Sequence, residues 1–251
     1  MQNDRENIER LAHEIDQVLN YKLGIAESIE ICDHTPQILQ QLGLKDLPIL
    51  MSQKHVRNCL HEKGKNPRWH GLDKSDLIGL IDELQAPALV MDSLRDDYSI
   101  IVVTATVDKD RLPIIGTIRC YGEGQYELAA VQSNYLTSVY GRNNFSNFLN
   151  NHIQENTLLY ADKEKVQRLE QFSRQQLSRT YSLCFGHDGI IRQSTNVCQA
   201  ATQNETHKEV DPFIAYLDSV EDRAAVENHI VRETQQNNNQ KDPKENGNEH
   251  D

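Results

Sequence analysis

The chain has 251 residues, with 26 Lys and Arg against 38 Asp and Glu, and a formal net charge of −12. At 37% hydrophobic, with no apolar run of membrane-spanning length, it excludes a hydropathic membrane helix and implies that part of the chain stays outside any core. The acidity lies at the two ends. Met1–His34 carries 8 acids and 3 bases, Cys198–Asp251 carries 12 and 5, and Thr35–Val197 between them holds 18 of each. A polyanionic partner is therefore disfavoured by the whole chain and not by its middle.

From the N-terminus, Ile8, Leu11, Ile15, Val18, Leu19 and Leu23 recur at helical spacing, predicting a helix over Asn7–Leu23 with Gly24 as its stop. Met1–Asn20 is charged throughout, so no signal peptide is expected. A short helix, Gln37–Leu42, follows, with Thr35 as N-cap and Pro36 in the first turn. Leu47–Met51 is an apolar entry, Ser52 caps a helix to about His61, and Asp73 or Ser75 caps another over Asp76–Leu84. The pattern then turns to strands at Ala88–Ser93, Tyr98–Thr106, Leu112–Arg119, Tyr126–Val131 and Asn134–Tyr140. Their short connections require antiparallel pairing. Helices are expected at Asn144–Gln154 and Asp162–Leu177, with Leu158–Tyr160 as a short edge strand, then a mixed segment, Tyr181–Val197. Val210–Ile230 can hold one helix, and Gln235–Asp251, polar and without aliphatic residues, is expected to be disordered. The order is α+β: N-terminal helices on an antiparallel sheet of about four strands, with further helices after it. The domain organisation read from this is an acidic helical lead-in (1–34), a folded domain (35–197) and an acidic polar tail (198–251).

Chemistry concentrates in two places. Lys54–His70 holds Lys54, Arg57, Lys63, Lys65 and Arg68 against the single acid Glu62, together with His55, His61, His70 and the only tryptophan, Trp69. Such cations hold phosphates, imidazoles move protons near neutral pH, and an aromatic can stack on a base. The ordinary alternative is a solvated helix and turn with Trp69 in the core. The three histidines lack metal-ligand spacing, so no metal is expected. The second place is Ser133–Asn144. Strict alternation puts Asn134, Leu136, Ser138 and Tyr140 on one face, with Arg142 at the strand end. Hydroxyls and an arginine there can stabilise charge on a phosphate, although the same residues also make an ordinary strand and turn.

Other features point elsewhere. Gly122-x-Gly124 reads as a hairpin turn, since no helix follows as a dinucleotide site requires. Cys59 beside His55 reads as a half-buried cysteine before a nucleophile. The five cysteines, odd in number and without a C-x-x-C pair, fit a reducing cytoplasm.

The stretches LPILMSQKHVRNCLHEKGKNPRWHGL, DSLRDDYSIIVVTATVDKDRLPIIGTIR, SNYLTSVYGRNNF and the later IIRQSTNV resemble the C-terminal domain of phage MuF-type proteins, over about Thr35–Val197. That domain is grouped with the barnase–EndoU–colicin–RelE-like (BECR) nucleases of phages and mobile elements. The resemblance implies helices packed on an antiparallel sheet of about four strands. It also implies metal-independent RNA cleavage through the ribose 2′-hydroxyl, in a toxin or effector working in a bacterial cytoplasm and carried in a phage particle. The matched motifs contain His55, His61, Lys63 and His70 in the first and Ser138, Tyr140 and Arg142 in the last. On this reading one of His55 and His61, in either order, is the general base and the other the acid, with Tyr140 as substitute, and Lys63 and Arg142 hold the phosphate. Lys54, Arg57, Lys65 and Arg68 follow the backbone, Trp69 stacks, and His70 and Ser138 bind substrate. The implied partners are RNA and a cognate immunity protein, with no cofactor. A catalytically silent nucleic-acid- or protein-binding module is the alternative, and the acidic tail is a candidate competitor for RNA.

Overall fold

The computed structural model describes residues 2–24, 26–66, 68–127, 129–173 and 189–197. The chain divides into compact units Met1–Val210 and Asp211–Asp251, and every described residue lies in the first. The helix expected at Val210–Ile230, the tail Gln235–Asp251, and residues 174–188 lie outside the described residues.

α1 (Gln2–Leu19) buries Leu11, Ile15 and Val18 completely, a stripe at the expected spacing. The left-handed residue beyond its end is Tyr21 (φ 54°), so the helix stops ahead of Gly24. Next come β1 (Ser28–Cys32) and α2 (Gln37–Gln41). Thr35 does not cap α2; Pro36 occupies that place. The Thr35 hydroxyl instead reaches the Leu47 carbonyl at 2.7 Å and accepts from the Leu47 N–H and Asn134 Nδ2. β2 (Ile49–Ser52) runs straight into α3 (Gln53–Leu60), whose N-cap is Ser52 as expected, accepting from the His55 N–H. α4 (Lys74–Gln85) opens on a capping box between Asp73 and Asp76.

The four central strands are β3 (Leu89–Asp92), β4 (Ser99–Val107), β5 (Pro113–Tyr126) and β6 (Ala129–Gly141). They form an antiparallel meander as expected, but the separate strands expected at Tyr126–Val131 and Asn134–Tyr140 are not separate: Tyr126 ends β5 and Ala129–Gly141 is the single strand β6. α5 (Phe145–Gln154), β7 (Leu158–Ala161), α6 (Lys163–Phe172) and β8 (Gly189–Ile190) complete the described elements. Among the described residues the sheet has eight strands in the order β1-β2-β6-β5-β4-β3-β7-β8, and only β2 with β6 is parallel. It is twice the expected width because β1 and β2 extend one side and β7 and β8 the other. β7 is not the edge, since β8 pairs outside it. The lead-in at 1–34 is not set apart: β1 pairs with β2, and α1 packs its buried stripe into the main core.

Alternate residues of the central strands face opposite ways. Val90, Ile100, Val102 and Ile118 join the core under α1, α3 and α4, whereas Leu89, Met91, Ile101 and Val103 join the core under α5 and α6. The sheet is thus covered on both faces.

Two readings of β5 and β6 are corrected. The expected turn at Gly122–Gly124 lies inside β5, and the hairpin reverses beyond Tyr126, where Glu127 takes φ 48°. Gly124 serves packing: a Cβ there would lie 2.9 Å from Tyr135 Cε2 and 3.0 Å from Leu50 Cδ1. Strict alternation along β6 also fails. The register steps from Thr117↔Ser138 to Ile118↔Leu136, a bulge that leaves Thr137 extra. Leu136 and Val139 therefore share one core, and Tyr140 packs against the other. A second bulge on β5, between Arg119 and Gly122, offsets the first. There Tyr121 takes φ 56° and its N–H is satisfied by Asn134 Oδ1 at 3.2 Å.

Candidate functional site

Two adjoining hollows lie where α3 and the loop after it approach the end of β6. The loop is folded back by its own backbone. The His70 N–H donates to the Asn58 carbonyl and the Leu72 N–H to that of Cys59, both at 2.8 Å, satisfying carbonyls in the last turn of α3. Gly71 (φ 68°) makes the reversal, and a Cβ there would meet Lys63 N at 3.0 Å. An Asx turn at Asn66, whose side chain accepts from the Arg68 N–H at 2.9 Å, shapes the tip. This brings His70 beside the helix residue Asn58, one turn beyond His55.

Facing it, the β6 bulge turns Ser138 and Tyr140 to the face opposite Leu136. Just past the strand, the Arg142 N–H is anchored on the Pro113 carbonyl at 2.8 Å. The His70 and Tyr140 rings stack with centroids 5.0 Å apart. Arg142 Nη1 donates to the Tyr140 hydroxyl at 3.4 Å, and its guanidinium lies 4.6 Å from the centre of the Phe148 ring. His70, Tyr140 and Arg142 form a septum that borders both hollows.

The smaller hollow, about 400 Å³, also takes in Lys63, Asn66, Trp69 and Asn143. The larger, about 900 Å³, takes in His55, Asn58, Arg68 and Ser138 on one side and α5 with the Ser93–Asp96 loop on the other. Of the residues singled out from sequence, His55, Arg68, His70, Ser138, Tyr140 and Arg142 meet in the larger space. Lys63 and Trp69 join the septum from the smaller.

Four line neither. Arg57 is buried, bonded to Gln53 Oε1 at 3.4 Å and set over the Tyr21 ring at the end of α1, which removes it from any backbone track. His61 closes the C-terminus of α3 with its ring 4.6 Å from Trp69, and burial, then the nearby Arg57 charge, depress its pKa. Lys65 is exposed and paired with Glu62 at 2.6 Å. Lys54 lies on α3 outside both hollows.

Burial, then the charge of Lys63, also holds the His70 pKa below the ordinary imidazole value, so this ring is neutral at pH 7. His55 Nδ1 lies 3.0 Å from Ser52 Oγ, so the α3 cap also orients the ring. Cys59 is no nucleophile: its thiol donates to the Val139 carbonyl at 3.3 Å, and burial pushes its pKa up to about 12. Among the described residues no three His, Cys, Asp or Glu side chains gather as metal ligands would.

Sequence reasoning missed the wall made by α5. Phe145 and Leu149 are buried, which leaves Asn147 and Asn151 on the exposed side, with Asn144, the left-handed N-cap (φ 50°), just ahead of them. The i, i+4 spacing of Asn147 and Asn151 is visible in the sequence once the helix phase is known. The same helix supplies His152, 1% exposed. Its Nδ1 meets Thr157 Oγ1 at 2.7 Å, while that hydroxyl donates to the His152 carbonyl at 3.0 Å. The imidazole proton is therefore on Nδ1, and Nε2 is bare.

Burial, then Arg142, depress His152 to about 4. The unfolded chain takes up this proton near 6.5 and the folded chain only near 4, so stability is lost as pH falls through that window. We expect a loss of about 2 kcal/mol between pH 7 and 4.5 from this residue. Urea unfolding of wild type and His152→Asn at both pH values checks it: the pH difference should shrink by that amount in the variant, and an unchanged difference would refute the assignment.

Residues 61–168 match the phage MuF C-terminal domain family. No curated protein and no solved structure matches the chain. The MuF C-terminal match contains His70, Tyr140, Arg142 and all of α5, so the septum and the asparagine wall lie inside it. α3 with His55, and the strands β1 and β2, lie before it. No described helix is long and apolar enough to cross a membrane.

Proposed function

We propose that the MuF C-terminal region, with α3, is a metal-independent endoribonuclease whose scissile phosphate sits at the septum. The observation that carries this reading is the convergence of His70, Tyr140 and Arg142 from two separate motifs. A neutral imidazole beside an arginine supplies a general base and a cation for the phosphate, two of the groups that 2′-hydroxyl attack uses. In the proposed step His70 takes the proton of the ribose 2′-hydroxyl and the 2′-oxygen bonds to phosphorus. The bond to the 5′-oxygen breaks, His55 gives that oxygen a proton, and a 2′,3′-cyclic phosphate is left. Arg142, with Lys63, holds the charge that builds on the phosphoryl oxygens, and Arg142 also orients Tyr140. Lys63 is shared with Asp110 at 3.0 Å, which leaves Arg142 the larger share. His70 takes the role first given to His61, which lies outside both hollows.

The reading places the protein in a bacterial cytoplasm, delivered with phage material and restrained by an immunity protein. Incubating the full chain in EDTA with a panel of tRNA, rRNA and mRNA tests it. Fragments ending in 2′,3′-cyclic phosphate are expected. Salt-sensitive RNA binding without fragments would overturn catalysis in favour of a binding module built on the same cleft.

A further inference from the structure

The two hollows that meet at the septum differ in chemistry. The smaller presents Lys63 and Trp69 beside Arg142. The larger presents carboxamides, Asn147 and Asn151 on α5 and Asn144 ahead of it, faced across the space by the Ser93–Asp96 loop, with Arg68 and Arg95 also on its lining. We infer that the larger hollow is a nucleobase subsite for an unpaired RNA strand, in which Asn147 and Asn151 read the edge of the base next to the scissile phosphate. The inference rests on the RNA substrate proposed above and names what that site selects.

Asparagine is a poor helix former, because its side chain competes for backbone hydrogen bonds. Asn147 and Asn151 on the exposed side of α5 therefore cost helix stability and return no packing: Phe145 and Leu149 on the other side supply that. Local rules broken without a packing return mark a functional surface. The carboxamides of Asn147 and Asn151 make no hydrogen bond within the described residues, and both are exposed to the hollow. Each offers one acceptor and two donors, which complements the adjacent donor and acceptor groups on a nucleobase edge.

The opposite rim carries both signs, Arg95 beside Asp96, and Arg68 also lines the hollow. The Asp96 carboxylate, fixed by accepting from the Tyr98 N–H at 3.1 Å, can accept an amino group of a base, and the arginines can hold the phosphates that flank it. At about 900 Å³ the hollow admits a splayed nucleotide. A base inside a duplex presents its pairing edge to its partner, so this subsite selects loops, bulges and ends.

The test uses the full chain and octanucleotides of all-2′-fluoro RNA, which lack the attacking hydroxyl and stay intact. Binding of the A, C, G and U homopolymers and of an abasic octamer is followed by anisotropy. We expect the four to differ, with the best at least about 10-fold tighter than the abasic strand. Asn147→Ala with Asn151→Ala should compress the spread among the four to about 2-fold, leaving the weak abasic binding in place. Both positions are exposed, and an unchanged thermal transition confirms the fold. Equal binding of all five strands, no binding of any, or a spread that survives the double substitution overturns the inference. Cleavage is scored separately. Base-selective binding without cleavage would sink the ribonuclease and leave the subsite standing, and cleavage without base preference would do the reverse.

Discussion

Arg142→Ala is expected to lower the single-turnover rate of RNA cleavage by about 10² to 10³-fold, the cost of removing one preorganised donor from developing charge. On the proposed ribonuclease reading the effect should fall on the rate more than on RNA affinity, because Arg68 and Lys63 would remain on the lining to hold the backbone. Arg142→Lys should recover only part of the loss. An ammonium keeps the charge, but it cannot lie flat over Phe148 and reach the Tyr140 hydroxyl together, as the guanidinium does at 4.6 and 3.4 Å. A rate within about 3-fold of wild type in a folded Arg142→Ala protein would remove this residue from the chemistry, and the septum with it.

Asp92→Ala should destabilise the folded chain by about 2–4 kcal/mol, because it removes a buried carboxylate that accepts from three donors, one of them the half-buried Arg192. Asp92 ends β3 with its side chain only 3% exposed. It accepts from Arg192 Nη2 at 2.9 Å, from the Thr195 N–H at 3.2 Å and from the Ser194 hydroxyl. The segment at 189–197 is thereby tied across the sheet end. Asn196 continues the tie, donating to the carbonyls of Ser93, Asp96 and Ser99 at 3.1, 3.0 and 2.8 Å, which shapes the loop facing the α5 asparagines. Adding Arg192→Met should return part of the loss, since the uncompensated guanidinium goes with it. Urea midpoints of the single and double variants decide this. A loss below about 1 kcal/mol for Asp92→Ala would show that the tie is dispensable.

The comparison of sequence and structure is clearest at particular elements. α3 was legible to its cap because Ser52 and the His55 N–H are three residues apart, and capping is local chemistry. β1 and β2 were not. Ile29 and Ile31 in one and the Ile49–Met51 run in the other are too short for periodicity to separate a strand from a helix entry. Pairing made them strands: β2 finds Asn134 and Tyr135 of β6, some eighty residues on. The glycines at 122 and 124 misled for a related reason. Glycine signals a turn locally, whereas Gly124 answers Tyr135 and Leu50 across the sheet.

The sequence by itself determined the helix stripes, the central meander, the basic concentration and its placement inside a neutral middle between acidic ends. These depend on neighbours within a few residues or on composition. Only the tertiary structure decided which of the basic residues reach the cleft. Arg57 and His55 lie two positions apart on α3, yet one is buried against Tyr21 and the other opens on the hollow. The side a residue faces is set by what packs on the helix. The bulge at Thr137 decided the rest: one extra residue in β6 reversed the alternation, and so turned Ser138 and Tyr140 to the face opposite Leu136 and toward His70. A register shift is a property of two strands together, and no single segment encodes it.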